Sequence, residues 1–187
     1  MSSMTTTPHA DHYRDLAGKF TSRIEAVPAD KWENPSPCEG WTARDVVRHV
    51  IDTQRDIVGV VDLVLDEGPS VDTDPLGAWN TTRESMQKIL DAPDLGGREY
   101  DGHFGRTTLA ATVDGFHCFD LVVHGWDLAR AVGTDETIPT ADLQWVDSVA
   151  TSLGENLRMS GVCGPAVSAP ENADAQTRLL AHLGRAV

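Results

Sequence analysis

The sequence predicts an all-α protein, a four-helix bundle with a small C-terminal α or α+β appendage. Three observations carry this. Four long segments repeat their apolar residues at steps of three and four. Strand-like alternation is confined to one short, Gly-rich stretch, and Pro and Gly punctuate the chain between the helical segments. The length of 187 residues suits a single core with an appendage and needs no covalent staples.

Met1 to Thr7 read as a floppy tail. The first helix runs from about Pro8 to Val27, with Tyr13, Leu16, Phe20, Ile24 and Val27 on its apolar face and Pro28 closing it. Asn34 to Gly40, with two prolines and a glycine, is irregular. Thr42 is a candidate N-cap for the second helix, and Asp45, three residues on, completes a capping-box-like pair. Val46, Val50, Ile57, Val60, Val61 and Val64 then form a stripe down to about Leu65. β-Branched content also suits a strand, but the length and stepping favour helix. The third helix runs from about Pro75 to Leu90, with Leu76, Trp79, Met86, Ile89 and Leu90 inward. Gly96 to Thr108 reads as a short hairpin or an irregular crossover. The fourth helix, about Leu109 to Val132, ends at Gly133, a good C′ residue. A fifth pattern covers about Thr140 to Leu157. Breaks follow at Gly161 and Gly164-Pro165, then a short extended piece and a last helix from about Ala173 to Leu183. The expected organisation is a tail over 1–7, a metal-binding bundle over 8–133, and an appendage over 134–187 packed on it.

Charge and composition narrow the function. Fifteen Lys+Arg against 29 Asp+Glu give a net charge of −14, which argues against gripping nucleic acid or anionic lipid. At 40% apolar residues the chain is too hydrophobic for wholesale disorder. Cys38, Cys118 and Cys163 are too scattered for a disulfide framework or a Cys-based zinc site. There is no apolar h-region at the N-terminus and no run near the roughly 18 apolar residues of a membrane helix. The expectation is a soluble protein in a reducing cytoplasm.

The fourth helix carries the chemistry. His117, Asp120 and His124 stand at i, i+3 and i+7 and share a face with Val113, Leu121, Leu128 and Ala131. Ionisable groups on a core-facing stripe are costly unless paired or coordinating. A carboxylate four residues before a histidine can clasp one divalent ion, and His49 on the second helix could meet the pair across the core. His49, Asp120 and His124 would make a two-histidine, one-carboxylate set that suits zinc, nickel or ferrous iron. The competing reading is an intrahelical Asp120–His124 hydrogen bond. For His117 a satisfied core histidine competes with a role beside the ligands. Asp127 is either a surface carboxylate or a partner of Arg130 or Arg48, and with His117 it is a candidate to orient a ligand or move a proton. Cys38, just before a helix N-terminus, is placed like a nucleophile, but loop packing is the blander reading. His103 sits in the Gly-rich stretch with nothing to fix it near the site. His9, His12 and His182 read as surface residues. No phosphate-loop, dinucleotide or nucleophile-elbow motif is present.

Three blocks carry a family resemblance. Pro37-Cys38-Glu39-Gly40-Trp41-Thr42 followed by Asp45-Val46-Val47-Arg48-His49-Val50 resembles the entry to the metal-bearing second helix of the DinB-like superfamily. Asp120-Leu121-Val122-Val123-His124-Gly125-Trp126-Asp127-Leu128-Ala129 resembles the second signature of its actinobacterial branch, related to the N-terminal domain of mycothiol-dependent maleylpyruvate isomerase. The stretch from Cys163-Gly164-Pro165 to Leu183-Gly184-Arg185 is similar to the ending of uncharacterised metal-binding members. The resemblance implies a divalent metal, zinc first, held by His49, Asp120 and His124. It implies mycothiol as a co-substrate in transferase or isomerase chemistry on a small electrophile, with a non-catalytic metal-binding protein as the alternative. It also implies a homodimer as an option, since relatives pair through helices. The isomerase carries Glu where this chain has the shorter Asp120.

Overall fold

The computed structural model describes residues 7–159 and 162–187. The predicted tail over 1–6 and the break at Gly161 lie outside them. Thr7, assigned to that tail, instead caps the first helix: its hydroxyl accepts from the Ala10 N–H at 3.3 Å.

Helix α1 is Pro8–Glu25, α2 is Ala43–Gly59 and α3 is Pro75–Asp91. A single turn, α4 (Pro93–Gly96), leads into an antiparallel hairpin of β1 (Glu99–Gly102) and β2 (Gly105–Thr108), in register from Glu99 opposite Thr108 to Gly102 opposite Gly105. Then come α5 (Leu109–Thr112), a π-helical turn (Val113–His117) and α6 (Cys118–Val132). Helix α7 (Thr140–Leu153), a 3-10 turn (Gly154–Arg158) and α8 (Ala175–His182) complete the chain. The fold is thus mostly helical with one small sheet, as the periodicity predicts. Gly133 closes α6 at φ 72°, the left-handed conformation that glycine adopts without strain.

The bundle is a ring: α1 lies between α3 and α6, and α2 closes the ring by packing on the same two helices. Its core is built from the predicted faces, with Tyr13, Leu16, Phe20, Ile24, Val46, Val50, Trp79, Met86 and Leu121 buried. Each large apolar side chain sealed there contributes roughly 1.5–3 kcal/mol. Polar groups caught inside are satisfied between helices. The Tyr13 hydroxyl donates to Gln54 at 2.8 Å, and the Trp79 indole N–H donates to Thr21 at 2.8 Å.

Helix α2 ends six residues earlier than the stripe predicts. After Gly59 the chain turns, with Asp62 at φ 58° and the Leu63 N–H on the Val58 carbonyl. Val61 and Leu65 still reach the core from this turn, so the 3–4 spacing persists without helix. Val60 and Val64, predicted inward, are instead 54% and 86% exposed.

Helix α6 is buried almost all round, because it has two neighbours. One face meets the bundle. The other meets the C-terminal segment through Phe119, Val123, Val146, Leu157, Leu179 and Leu183, and through Trp126 with Ile138 and Leu180. A helix apolar on every side requires such covering. No helix among the described residues is long and apolar enough to cross a membrane.

Candidate metal centre

The loop before α2 is drawn tight. The Trp41 N–H bonds to the Cys38 carbonyl at 3.0 Å, the Ser36 N–H bonds to the Trp41 carbonyl at 2.8 Å, and Gly40 takes φ 78°. The predicted capping box is present, with the Thr42 hydroxyl accepting from the Asp45 N–H and the Asp45 carboxylate accepting from the Thr42 N–H at 2.9 Å. Together these set where α2 starts and hence where His49 points. The Trp41 ring lies against His49, centroids 4.7 Å apart, and His49 meets the His124 ring edge-on at 4.9 Å.

The structure brings together the three residues predicted from spacing. One ligand atom each from His49, Asp120 and His124 lie within 4.8 Å of one another. Among the described residues, no hydrogen bond or ion pair joins their side chains, and the side chains of His49 and Asp120 have no hydrogen-bond partner elsewhere. The alternative of an Asp120–His124 hydrogen bond therefore does not hold. His124 turns its Nδ1 the other way, to Asp127 at 2.9 Å, which leaves Nε2 on the side of the cluster.

Asp127 is no surface carboxylate. It is 0% exposed, and its partner is neither Arg130, which pairs with Glu136, nor Arg48, which pairs with Asp72. Arg185 instead forks onto it, Nη2 to Oδ2 at 2.8 Å and Nε to Oδ1 at 3.2 Å. The Cys38 thiol donates to the same Oδ2 at 3.3 Å. Burial pushes the Asp127 carboxyl upward, but the bonds from His124 and Arg185 outweigh it and hold its pKa at about 2. Burial disfavours a charged His124. Asp127, Cys38 and the charge of Asp120 overcome that and raise its pKa to about 10. Burial, then the His124 charge, lowers His49 to about 4. Burial also raises Asp120. Two imidazoles and the Asp120 carboxylate brought this close form a nitrogen and oxygen donor set of the kind that fits a divalent cation.

The cluster opens on a cavity of about 550 Å³ whose wall includes Cys38, Trp41, His49, His124, Arg158 and Arg185. His117, predicted on the same face as Asp120 and His124, does not join the ligand cluster. It ends the π turn, where the Cys118 N–H reaches back to the Val113 carbonyl, so the uniform register assumed along this helix is broken. His117 is buried, its Nδ1 has no hydrogen-bond partner, and burial, then the nearby His49, lowers its pKa to about 4. It forms part of the wall of a second cavity, under the hairpin, which His103 also lines. His9 and His12 are not free surface residues: both bond to Asp114 through Nδ1, at 2.8 and 2.5 Å. His182 is exposed, as expected. Sequence reasoning missed Arg185 as a site residue. Its signal was weak, a lone cation near an exposed helix end.

Fold and site together define a class: a helix-bundle protein whose core-facing histidine–carboxylate cluster opens on a cavity. Within that class the chain belongs to the mycothiol maleylpyruvate isomerase N-terminal domain family, which it matches over residues 13–129. The matched span contains His49, His117, Asp120, His124 and Asp127, while Arg185 lies beyond it. An uncharacterised protein of Mycobacterium tuberculosis is 24% identical over 170 residues, covering 90% of this chain and 92% of its own length. A second uncharacterised protein of that organism is 28% identical over 149 residues, covering 67% of this chain and 57% of its own. Among solved structures, the crystal structure of a histidine-to-alanine mutant of the mycothiol-dependent maleylpyruvate isomerase matches with a TM-score of 0.49 and 17% identity, over 77% of this chain and 70% of that one.

Proposed function

We propose that this protein is a divalent-metal-dependent enzyme that uses a low-molecular-weight thiol, mycothiol, in a transfer or isomerisation reaction on a small electrophile. The observation that carries the reading is the His49–Asp120–His124 cluster, whose ligand atoms lie within 4.8 Å of one another with no bond between them. Nitrogen and oxygen ligands of this kind suit zinc first, then nickel or ferrous iron. Bound there, a divalent ion would lower the pKa of a coordinated thiol and so supply a nucleophile at neutral pH.

The chain's own residues do the rest. Asp127 pairs with His124 Nδ1, which would leave Nε2 to hold the ion. Arg185 balances the Asp127 charge and lines the cavity, and Arg158 adds a second cation to the wall for polar groups of the thiol. Trp41 packs on His49 and limits water on that side. His117, kept neutral by burial, can orient a polar group of the reactants.

Elemental analysis of tag-free protein tests the first half. About one divalent ion per chain is expected, and His49→Ala and His124→Ala should each remove it. Stoichiometry that survives both substitutions sinks the ligand assignment. Calorimetric titration of metal-loaded protein with mycothiol tests the second half, and the absence of heat at millimolar thiol would leave a non-catalytic metal-binding protein as the better reading.

A further inference from the structure

The second cavity, of about 480 Å³, lies under the hairpin, against the π turn and the segment that follows α7. Its wall is apolar and aromatic: Tyr100, Phe104, Phe116, Leu153, Met159 and Val162. Phe104, at the hairpin tip, is 56% exposed although it stacks parallel on Phe116 at 6.0 Å. Solvating that much aromatic surface is unfavourable unless something else covers it. Two of the polar groups around the cavity are engaged. Arg106 pairs with Glu99 at 3.0 Å, and the Tyr100 hydroxyl bonds to Thr112 at 2.6 Å. His117 is different. It is 8% exposed, stands in the wall, and keeps an Nδ1 with no partner among the described residues. A buried polar atom left this way costs free energy.

Two features tie this cavity to the metal-ligand cluster. Met159 and Val162 belong to the walls of both cavities, so the two adjoin. His117 also precedes Asp120 by three residues, roughly 4.5 Å of helix rise. We propose that the hairpin cavity is the acceptor subsite: it takes a small, planar, one-ring or conjugated molecule, uncharged on its buried side, whose hydroxyl or carbonyl hydrogen-bonds to the His117 imidazole. Phe104 and Phe116 sandwich or cap its face, and its reactive end projects past Met159 toward His49 and His124. A volume in this range suits a molecule of that size. The assignment rests on the His49–Asp120–His124 cluster being the reaction centre, and it names the class of molecule that meets it.

The test uses p-cresol and toluene, which share a ring and differ by one hydroxyl. Metal-loaded protein labelled with ¹⁵N-histidine is titrated with each and followed by NMR. The expected result is a p-cresol-dependent shift of the His117 ring nitrogens that toluene does not produce. Phe104→Ala, on the exposed hairpin tip, should weaken both probes. Ala111→Leu, which narrows the cavity, should do the same. His117→Phe should weaken p-cresol about tenfold, the worth of one good hydrogen bond, and toluene by no more than about twofold. Equal affinity for the two probes, or p-cresol binding untouched by Phe104→Ala and Ala111→Leu, overturns the proposal. Repeating the titration after chelator treatment separates the two readings. Failure of the metal centre shows as unchanged elemental content in the His49 and His124 variants, whereas failure of the subsite shows in the His117 spectra with or without metal.

Discussion

Two histidine–aspartate clusters lie on the same stretch of chain, six residues apart at their carboxylates, and they behave differently. Asp114 is claimed on both oxygens, by His9 and His12 from α1, with the buried Cys118 alongside. Asp120, His49 and His124 bring their ligand atoms within 4.8 Å of one another, but no hydrogen bond joins them. The first cluster is a clamp between α1 and the π turn, with the Nδ1 of both histidines bonded to the carboxylate. Burial also pushes the Cys118 thiol far up, so it offers no thiolate. The second cluster keeps its donor atoms available and adds Asp127 behind His124. Proximity of ligand-type residues is therefore not what marks a candidate metal centre. What marks it is donor atoms that converge while their hydrogen-bonding is directed elsewhere or left open.

The largest expected effect lies behind the open cluster. Arg185→Met leaves a fully buried Asp127 with one cation fewer and should destabilise the fold by about 3–5 kcal/mol, read by urea denaturation. A loss below about 1 kcal/mol would mean the pair is not a buried charge compensation. Next, Asp127→Asn should reduce divalent-metal affinity about 10–100-fold, measured by competition with a chromophoric chelator. The double variant His9→Ala/His12→Ala should leave that affinity unchanged. If the clamp variant lost metal instead, the contrast between the two clusters would collapse.

A smaller effect belongs to the clamp itself. Burial raises the Asp114 carboxyl, but the bonds from His12 and His9 outweigh it and set its pKa below the usual value. A depressed folded-state pKa gives stability that is present above about pH 4 and lost as pH falls through the lower folded value. Asp114→Asn should thus cost about 1 kcal/mol near neutral pH, with the difference from the parent shrinking in acid. A gap that widened below pH 4 would reverse the sign. Smallest of all, Cys38→Ser should keep metal content unchanged and shift stability by less than about 1 kcal/mol, since its thiol makes one long bond to Asp127. Metal loss would make Cys38 a ligand.

Much of this was readable from local pattern. The apolar stepping located α1, α3 and α6, the Thr42/Asp45 pair placed the start of α2, and the Asp120/His124 spacing picked two of the converging residues. The rest depended on partners distant in sequence. Asp127 looks amphipathic in its own helix, and only Arg185, 58 positions away, explains why it can be buried. His9 and His12 read as surface because their carboxylate lies more than a hundred residues on. The π turn left no signature in the apolar period, so nothing in the sequence marks His117 as standing outside the ligand cluster. Val60 and Val64 kept a helical spacing in a segment that had already turned away.

The double burial of α6 has a consequence for motion. Separating the C-terminal segment from this helix would strip apolar cover from Phe119 and Trp126 and pull Arg185 off Asp127 in the same event. Local opening of that segment and loss of His124 orientation are then a single cooperative unit. Amide hydrogen exchange should show α8 and the middle of α6 opening at a common rate, and added divalent ion should slow both together. Such coupling would make the segment that looks like an accessory in the sequence a thermodynamic gate on the residues that precede it.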